Sequence, residues 1–323
     1  MKYRTLGKTG VKVSELGIGG IGAMGKYGAL TPHEFAATMT RAAQLGVSFM
    51  DTAPAYGDSE VLFGHYLSSA PDSWTVCTKT GYCGGGGSAD PIDPRKVIEQ
   101  CEQSLLRLRV DHVDMLLIHS IDQYGDGPDA VERIRGSGML HAMRRLREEG
   151  KVRFIGISGQ LAELVPAVAS GEFDVALTYN SFNLLVREAE DRLLPLAAEL
   201  KVGLILGGPF YQGLLSGIAE RLAPEKQRWF ERQDPGLHQT EDLLLRVRAL
   251  LEMVGGDARE LRRLALCFAL SDPRISVVIS GMSRPEEVAE NAAAVDAGPL
   301  SASERRQVDQ TLARVPGPTP RWL

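Results

Sequence analysis

The chain has 323 residues, 44% of them hydrophobic and 24% charged, with 36 Lys and Arg against 41 Asp and Glu for a net charge of −5. That composition suits a soluble globular protein with a sizeable core, and its mild acidity argues against a nucleic-acid partner, whose phosphates call for a basic stripe. No stretch approaches ~18 consecutive apolar residues, so no membrane span is expected, and the opening "MKYRTLGKTG" lacks the apolar core of a signal peptide, which favours the cytoplasm.

In chain order, "YRTLGKTGVKVSEL" has the pattern of a hairpin turning at Thr9-Gly10, ahead of a first apolar run "ELGIGG". Thr31 before Pro32 and Glu34 predicts the start of a helix over "PHEFAATMTRAAQLG", and Gly46 its stop. The run "VSFMDTA" follows, then "TVCTKT", the glycine-rich loop "GYCGGGGSADPIDP" and the helical stretch "PRKVIEQCEQSLLRL". The runs "VDMLLIHS", "VRFIGISG", "FDVALTYN", "VGLILGG" and "ISVVISG" complete the series, with a long loop from about Tyr211 to Gln239 after the seventh. Several runs are nearly continuous in Val, Ile and Leu, as parallel strands covered on both faces require.

Strand and helix patterns alternating through eight such runs predict a (β/α)8 TIM barrel with an N-terminal β-hairpin. A doubly wound open sheet is the alternative, because a count of strands does not by itself prove closure. No linker divides the chain, so residues 1–323 read as one domain. The cysteines Cys77, Cys83, Cys101 and Cys267 form no Cys-x-x-Cys pair and have no histidine at ligand spacing, so neither a metal site nor a disulfide framework is expected.

In a barrel, chemistry sits at the C-terminal ends of the strands. The second run ends in Asp51, with Tyr56 in the loop beyond; the third ends in Lys79 and the fourth in His119. Reduction of a carbonyl needs a proton at the oxygen while hydride reaches the carbon. A free Tyr, with a pKa of about 10, exchanges protons poorly near neutrality. A neighbouring Lys stabilises the phenolate, a carboxylate holds the Lys charged, and a His donates a hydrogen bond to the carbonyl oxygen. Taken singly, each residue has an ordinary use: Asp51 caps a turn, Lys79 pairs with it, His119 sits satisfied in the core. Jointly, from three successive strands, they point to catalysis.

The glycines of "GIGGIG", Gly17 to Gly22, are out of register for a Rossmann fingerprint and suit close backbone approach at the barrel mouth instead. Gly84 to Gly87 lack the Lys-Ser/Thr of a P-loop and read as a lid or entrance loop. Met24 and Tyr27 in the first loop, Tyr82 in the third and Tyr124 in the fourth are candidate substrate contacts beside Tyr56 and His119. Trp74, ahead of the third run, is assigned to the opposite end of the barrel, and "PGPTPRWL" to a tail.

The segments "DTAPAYGDSE", "TVCTKTG", "VDHVDMLLIHS", "GKVRFIGISG", "GGPFYQGLLSG" and "VVISGMSRPEEVAEN" occur in an order and spacing that resemble the aldo-keto reductase family, and the resemblance covers most of the chain. It implies Tyr56 as general acid/base, Asp51 and Lys79 as its tuners and His119 as the carbonyl-orienting donor. It also implies a nicotinamide cofactor, NAD or NADP, across the barrel mouth. Gly20, Ile21, Asp51, Ser158, Gly159, Asn180, Gly208, Pro209, Phe210 and Gly213 would line it, and Gly281, Ser283, Arg284, Glu287, Glu290 and Asn291 would hold its adenosine end.

Pro285 at a helix start is expected to leave N–H groups aimed at an anion. Glu287 would accept a hydrogen bond from a ribose hydroxyl and repel a 2′-phosphate, with Arg284 offsetting that in part, so the chain leans towards accepting NAD. It departs from the commonest pattern at Gly159, Leu177 and Gly207; Asn180 would then reach the carboxamide, and Phe210 or Tyr211 the ring. "GISG", "LTYNSFN" and "GGPFYQG" together are similar to a sub-branch that includes NAD(P)-dependent aldose and galactose dehydrogenases. The resemblance therefore implies a small carbonyl or sugar substrate, acted on by reduction or by oxidation of an aldose to its lactone; a cofactor-sensing regulatory barrel is the reading from another class. The oligomeric state stays open.

Overall fold

The eight apolar runs pair with one another in chain order and then close on themselves. In the computed structural model, which describes residues 1–24, 30–69, 74–81, 93–217 and 240–317, the strands are β1 (Tyr3–Thr5), β2 (Lys12–Ser14), β3 (Leu16–Gly19), β4 (Phe49–Asp51), β5 (Thr75–Thr80), β6 (Val113–Ile118), β7 (Val152–Gly159), β8 (Val175–Tyr179), β9 (Gly203–Gly207) and β10 (Val277–Gly281). The helices are α1 (Pro32–Gln44), α2 (Ser59–Leu67), α3 (Pro94–Leu108), α4 (Pro128–Ser137), α5 (Met139–Glu148), α6 (Leu161–Ala169), α7 (Leu193–Glu199), α8 (Thr240–Met253), α9 (Ala258–Ala269), α10 (Pro285–Asp296) and α11 (Ala302–Leu312).

Strands β3 to β10 form a closed barrel in the order β10-β3-β4-β5-β6-β7-β8-β9. Closure rests on the parallel pairing of β10 with β3, in which Val278 faces Leu16 and Gly281 faces Gly19. That pairing eliminates the open doubly wound sheet. The N-terminal hairpin pairs Tyr3 with Ser14 and Thr5 with Lys12. It covers one end of the barrel: Leu6 and Val13 are fully buried in the interior cluster with Phe49, Cys77, Met115, Leu117, Ile205 and Val277. Arg4 ties it down, reaching Glu15 at 2.7 Å and the carbonyls of Leu270 and Ile275 at 2.8 and 2.6 Å.

The expected local signals act where they stand. Thr31 Oγ1 accepts from Glu34 N at 3.3 Å and Glu34 Oε2 accepts from Thr31 N at 2.9 Å, a reciprocal cap for α1. Gly46 then takes the left-handed backbone, φ +80°, that ends the helix. Asp58 stands at the cap position of α2 but its side chain makes no capping bond. The hydroxyl of Ser59 pairs instead with Thr52 Oγ1 at 2.8 Å. Where α2 crosses α3, a Cβ at Gly64 would sit 2.0 Å from the Arg107 carbonyl oxygen, so only glycine fits the crossing.

Strand alternation divides the side chains between two cores. Val277 and Ile279 point into the barrel, while Val278 points out to the helix layer with Ile18 and Val288. Among the described residues, no helix is long and apolar enough to cross a membrane.

Candidate active site

The loop that carries Tyr56 is short and pinned at both ends. Tyr56 N–H donates to the Ala53 carbonyl and Ser59 N–H to the Tyr56 carbonyl, both at 3.0 Å, and Gly57 takes φ +53° between them. Beyond it, buried Glu60 accepts from Thr78 Oγ1 at 2.6 Å and from Arg107 Nε at 2.7 Å, which fastens the start of α2 to β5 and α3. The phenol is thereby held over the last inward residues of β4 and β5.

Those residues are Asp51 and Lys79, exposed by only 2% and 1%. Lys79 Nζ donates to both Asp51 carboxylate oxygens, at 2.7 and 2.8 Å, and to the Thr52 carbonyl at 2.8 Å. It stands 4.7 Å from the centroid of the Tyr56 ring. His119 follows β6 and packs edge-on against Tyr56, centroids 5.5 Å apart at 87°. Its backbone is fixed by donation to the Thr80 carbonyl at 2.9 Å, and Gln123 Nε2 donates to the His119 carbonyl at 2.5 Å. The four residues expected from three separate strands therefore meet at one point.

Electrostatics gives each a state. Burial by itself would push Lys79 down, but the facing Asp51 carboxylate reverses this and holds its pKa above the ordinary value, so the ammonium persists. Burial lowers His119 to about 3, helped by the Lys79 charge, which leaves a neutral imidazole with one N–H to donate. The expectation of a net lowering at Tyr56 needs correcting. Lys79 does pull the phenol down, but burial outweighs it, and the pKa lies above the ordinary value. A protonated phenol beside a neutral imidazole is set to donate to a carbonyl oxygen.

Other expected residues have structural duties. Ser158 Oγ donates to the Ile118 carbonyl and accepts from Ser120 N–H, both at 3.1 Å, which occupies it in joining β7 to the end of β6. A Cβ on Gly159 would lie 2.4 Å from the Ile121 side chain, and one on Gly20 2.4 Å from Ser59 Oγ. Ile21 and Met24 are exposed at the rim, 42% and 40%. Tyr124 is corrected: it is buried, and its hydroxyl donates to the Gly81 carbonyl, which anchors a loop and presents no face to the mouth. Tyr27, Tyr82, Cys83 and the tract Gly84–Gly87 lie outside the described residues. Trp74 is buried ahead of β5 and packs edge-on to Tyr66.

At the start of α10 two of the backbone N–H groups already have a carboxylate partner. Glu287 Oε2 accepts from Ser283 N at 2.7 Å, Ser283 Oγ at 3.2 Å and Arg284 N at 3.2 Å. Glu290 pairs with Arg262 at 2.5 Å, and Asn291 is buried beside it on the same helix. After β9, Gly208 and Gly213 take left-handed backbone, φ +68° and +96°. Pro209 and Tyr211 are buried, and half-buried Phe210 packs on the outer core, so neither aromatic points at the barrel axis.

Asn180, just past β8, holds φ +55°, and its Oδ1 is buried with no hydrogen-bond partner. Ser280 Oγ, at the end of β10, is likewise buried and unpartnered. An orphaned acceptor at a strand end fits a polar ligand laid across the mouth.

A model of the aldo/keto reductase family matches residues 15–313. L-galactose dehydrogenase from Arabidopsis thaliana is 32% identical over 305 residues, covering 91% of this chain and 88% of that protein. NADH-specific methylglyoxal reductase from Escherichia coli is 27% identical over 344 residues, covering 97% and 100%. Among solved structures, an aldo-keto reductase from Bacillus halodurans in its holo form superposes with a TM-score of 0.74 at 26% identity, covering 96% of each chain.

Proposed function

The chain belongs to the aldo-keto reductase family, and we propose that it interconverts a small carbonyl compound and the corresponding alcohol, with Tyr56 exchanging the proton at the carbonyl oxygen. The observation that carries this reading is the buried Lys79, held by Asp51 at 2.7 Å and standing over the Tyr56 ring at 4.7 Å. A nicotinamide dinucleotide, the cofactor class the family uses, supplies or accepts the hydride at the carbonyl carbon when bound.

The chain's own residues account for the rest. Neutral His119 donates a hydrogen bond that orients the carbonyl oxygen towards the phenol. Tyr56 gives its proton as charge develops on that oxygen, and the Lys79 ammonium stabilises the phenolate left behind. Asp51 keeps Lys79 charged through the cycle. Asn180 Oδ1 would contact the cofactor, with Ser283 and Arg284 at its adenosine end. Because Glu287 puts a carboxylate on the backbone N–H groups there, NAD is favoured over its 2′-phosphorylated counterpart.

A second reading, oxidation of an aldose to its lactone, is favoured by the 32% identity to L-galactose dehydrogenase. Both are tested by following absorbance at 340 nm with NAD(H) and NADP(H) against aldehydes, ketones and aldoses, for wild type and Tyr56→Phe. Turnover that falls about 100-fold or more in Tyr56→Phe supports the mechanism. Undiminished turnover in that variant removes Tyr56 from its role, and aldose oxidation well above reduction selects the second reading.

A further inference from the structure

The loop that follows β8 lines a second cavity, apart from the catalytic group. Its own hydrogen bonds hold it in shape: Asn183 Oδ1 accepts from Leu185 N and Val186 N at 2.9 and 3.1 Å, and Ala189 N donates to the Ser181 carbonyl at 3.0 Å. The loop contributes Arg187 and the turn at Glu188–Glu190, while α8 contributes Arg246 and the end of α11 contributes Asp309 and Leu312, with Ala313 just beyond. The space enclosed is about 500 Å³, within the range of sites that take small molecules. Its lining residues include none of the catalytic group and none of the cofactor residues assigned above.

Two arginines meet this cavity with donors unused. Arg246 Nη1 donates to the Leu185 carbonyl at 2.8 Å, while its Nε is buried and has no hydrogen-bond partner among the described residues. Arg187 Nη2 stands 2.7 Å from Asp309 Oδ1, yet it too is buried without a hydrogen bond among the described residues. Burial and then the Arg187 charge push the Arg246 guanidinium below its ordinary pKa, and Asp242 offsets that only in part. The Arg187 and Arg305 guanidiniums both lie over the buried Phe268 ring, at 4.7 and 4.5 Å, which holds Arg187 in place. Guanidinium groups only donate, so two of them with N–H groups unspent call for an acceptor that carries negative charge.

The acidic groups of the wall narrow the choice. Asp309 lies 2.7 Å from Arg187 and 3.5 Å from Arg305, and Glu190 lies 3.8 Å from Arg305, so both are balanced by arginines. Glu188 and Asp191 add carboxylates at the same cavity. Carboxylates accept from hydroxyl groups but repel a second negative charge, and Leu185, Val186 and Leu312 offer apolar contact. A single carboxylate on a hydroxylated carbon chain meets all three conditions; a phosphate dianion does not.

We propose that this cavity binds a small hydroxylated carboxylic acid, its carboxylate held by Arg187 and Arg246 and its hydroxyl groups by the carboxylates of the loop between β8 and α7. The site is separate from the carbonyl chemistry at the mouth and does not depend on it.

The test titrates the full chain calorimetrically, at constant ionic strength, with sodium gluconate, sorbitol and sodium phosphate. Sorbitol keeps the polyol chain of gluconate and lacks its carboxylate. Gluconate should bind with a Kd of about 1 mM, and sorbitol and phosphate about ten-fold more weakly or worse. Arg246→Gln removes a guanidinium, and Ala313→Trp fills the cavity from an exposed position without touching a charge. Each should raise the gluconate Kd about ten-fold or more. Thermal melts establish that the variants fold, and Ala313→Trp decides alone if Arg246→Gln does not. Gluconate binding that survives either folded variant places the acid elsewhere and overturns the site. Sorbitol or phosphate binding as tightly as gluconate overturns the ligand class, and no gluconate binding up to about 20 mM overturns the proposal outright.

Discussion

Lys79 and Asp51 form an ion pair at 2.7 Å from which water is almost wholly excluded, with side chains exposed by 1% and 3%. Such a pair adds little net stability when intact, but losing one partner strands a buried charge, at a cost of about 3–5 kcal/mol. Lys79→Met should therefore lower unfolding stability by about that amount in urea titrations at pH 7, and the double variant Asp51→Leu/Lys79→Met should recover most of it. Activity should be lost in both. Full stability in the single variant would mean that the pair is solvated and not the dry unit described.

The raised Tyr56 phenol makes a spectroscopic prediction. Burial outweighs the pull of Lys79, so no phenolate forms at Tyr56 below its ordinary pKa of about 10. The ultraviolet difference between wild type and Tyr56→Phe, titrated without cofactor, should show no tyrosinate signal up to about pH 10. Carbonyl reduction uses the protonated phenol and should run level through neutrality, whereas alcohol oxidation uses the phenolate and should climb with pH. A tyrosinate signal appearing near pH 7 would show that Lys79 prevails over burial.

His119 sets a stability prediction of definite sign. Its folded pKa is lowered to about 3, against an ordinary 6.5. Between those values the unfolded chain binds a proton that the folded chain refuses, so stability falls as pH drops from 6.5 towards 3. The slope from this group reaches at most about 1.4 kcal/mol per pH unit. His119→Gln should lose that part of the slope, measured by denaturant unfolding at pH 6.5, 5.5 and 4.5. Parallel slopes for the two proteins would place a solvated imidazole at this position.

Much of this was legible in the sequence, for reasons that differ between residues. Asp51, Lys79 and His119 stand out because each ends an apolar run with a group the run does not need, and strand parity carries such groups to one mouth. The barrel was legible from eight runs, but its closure was not, since the β10–β3 pairing joins residues some 260 positions apart. Gly17 and Gly19 look alike in "GIGG". Only the fold shows that a Cβ on the first would collide with Phe49 while one on the second would make only ordinary contact with the backbone of β10. Tyr124 reads as a loop aromatic until its hydroxyl is seen reaching back to the Gly81 carbonyl. The net sign at Tyr56 was missed for a related cause: the charge of Lys79 can be read from the chain, whereas the depth of burial that opposes it cannot.

Glu287 carries the last prediction. Its carboxylate accepts from Ser283 and Arg284 at the start of α10, where backbone N–H groups would otherwise face an anion. A ligand phosphate arriving there meets a negative charge already in place. Two unit charges about 4 Å apart in water repel by about 1 kcal/mol, roughly a five-fold effect on affinity. Glu287→Gln keeps an oxygen that can accept the same hydrogen bonds but removes the charge. It should lower the Kd for NADPH about five-fold with little change for NADH, in side-by-side fluorescence titrations. The weaker charge complement at the helix start should cost about 0.3–1 kcal/mol of stability. An unchanged NADPH-to-NADH ratio would mean that Glu287 serves the helix and has no part in choosing between the cofactors.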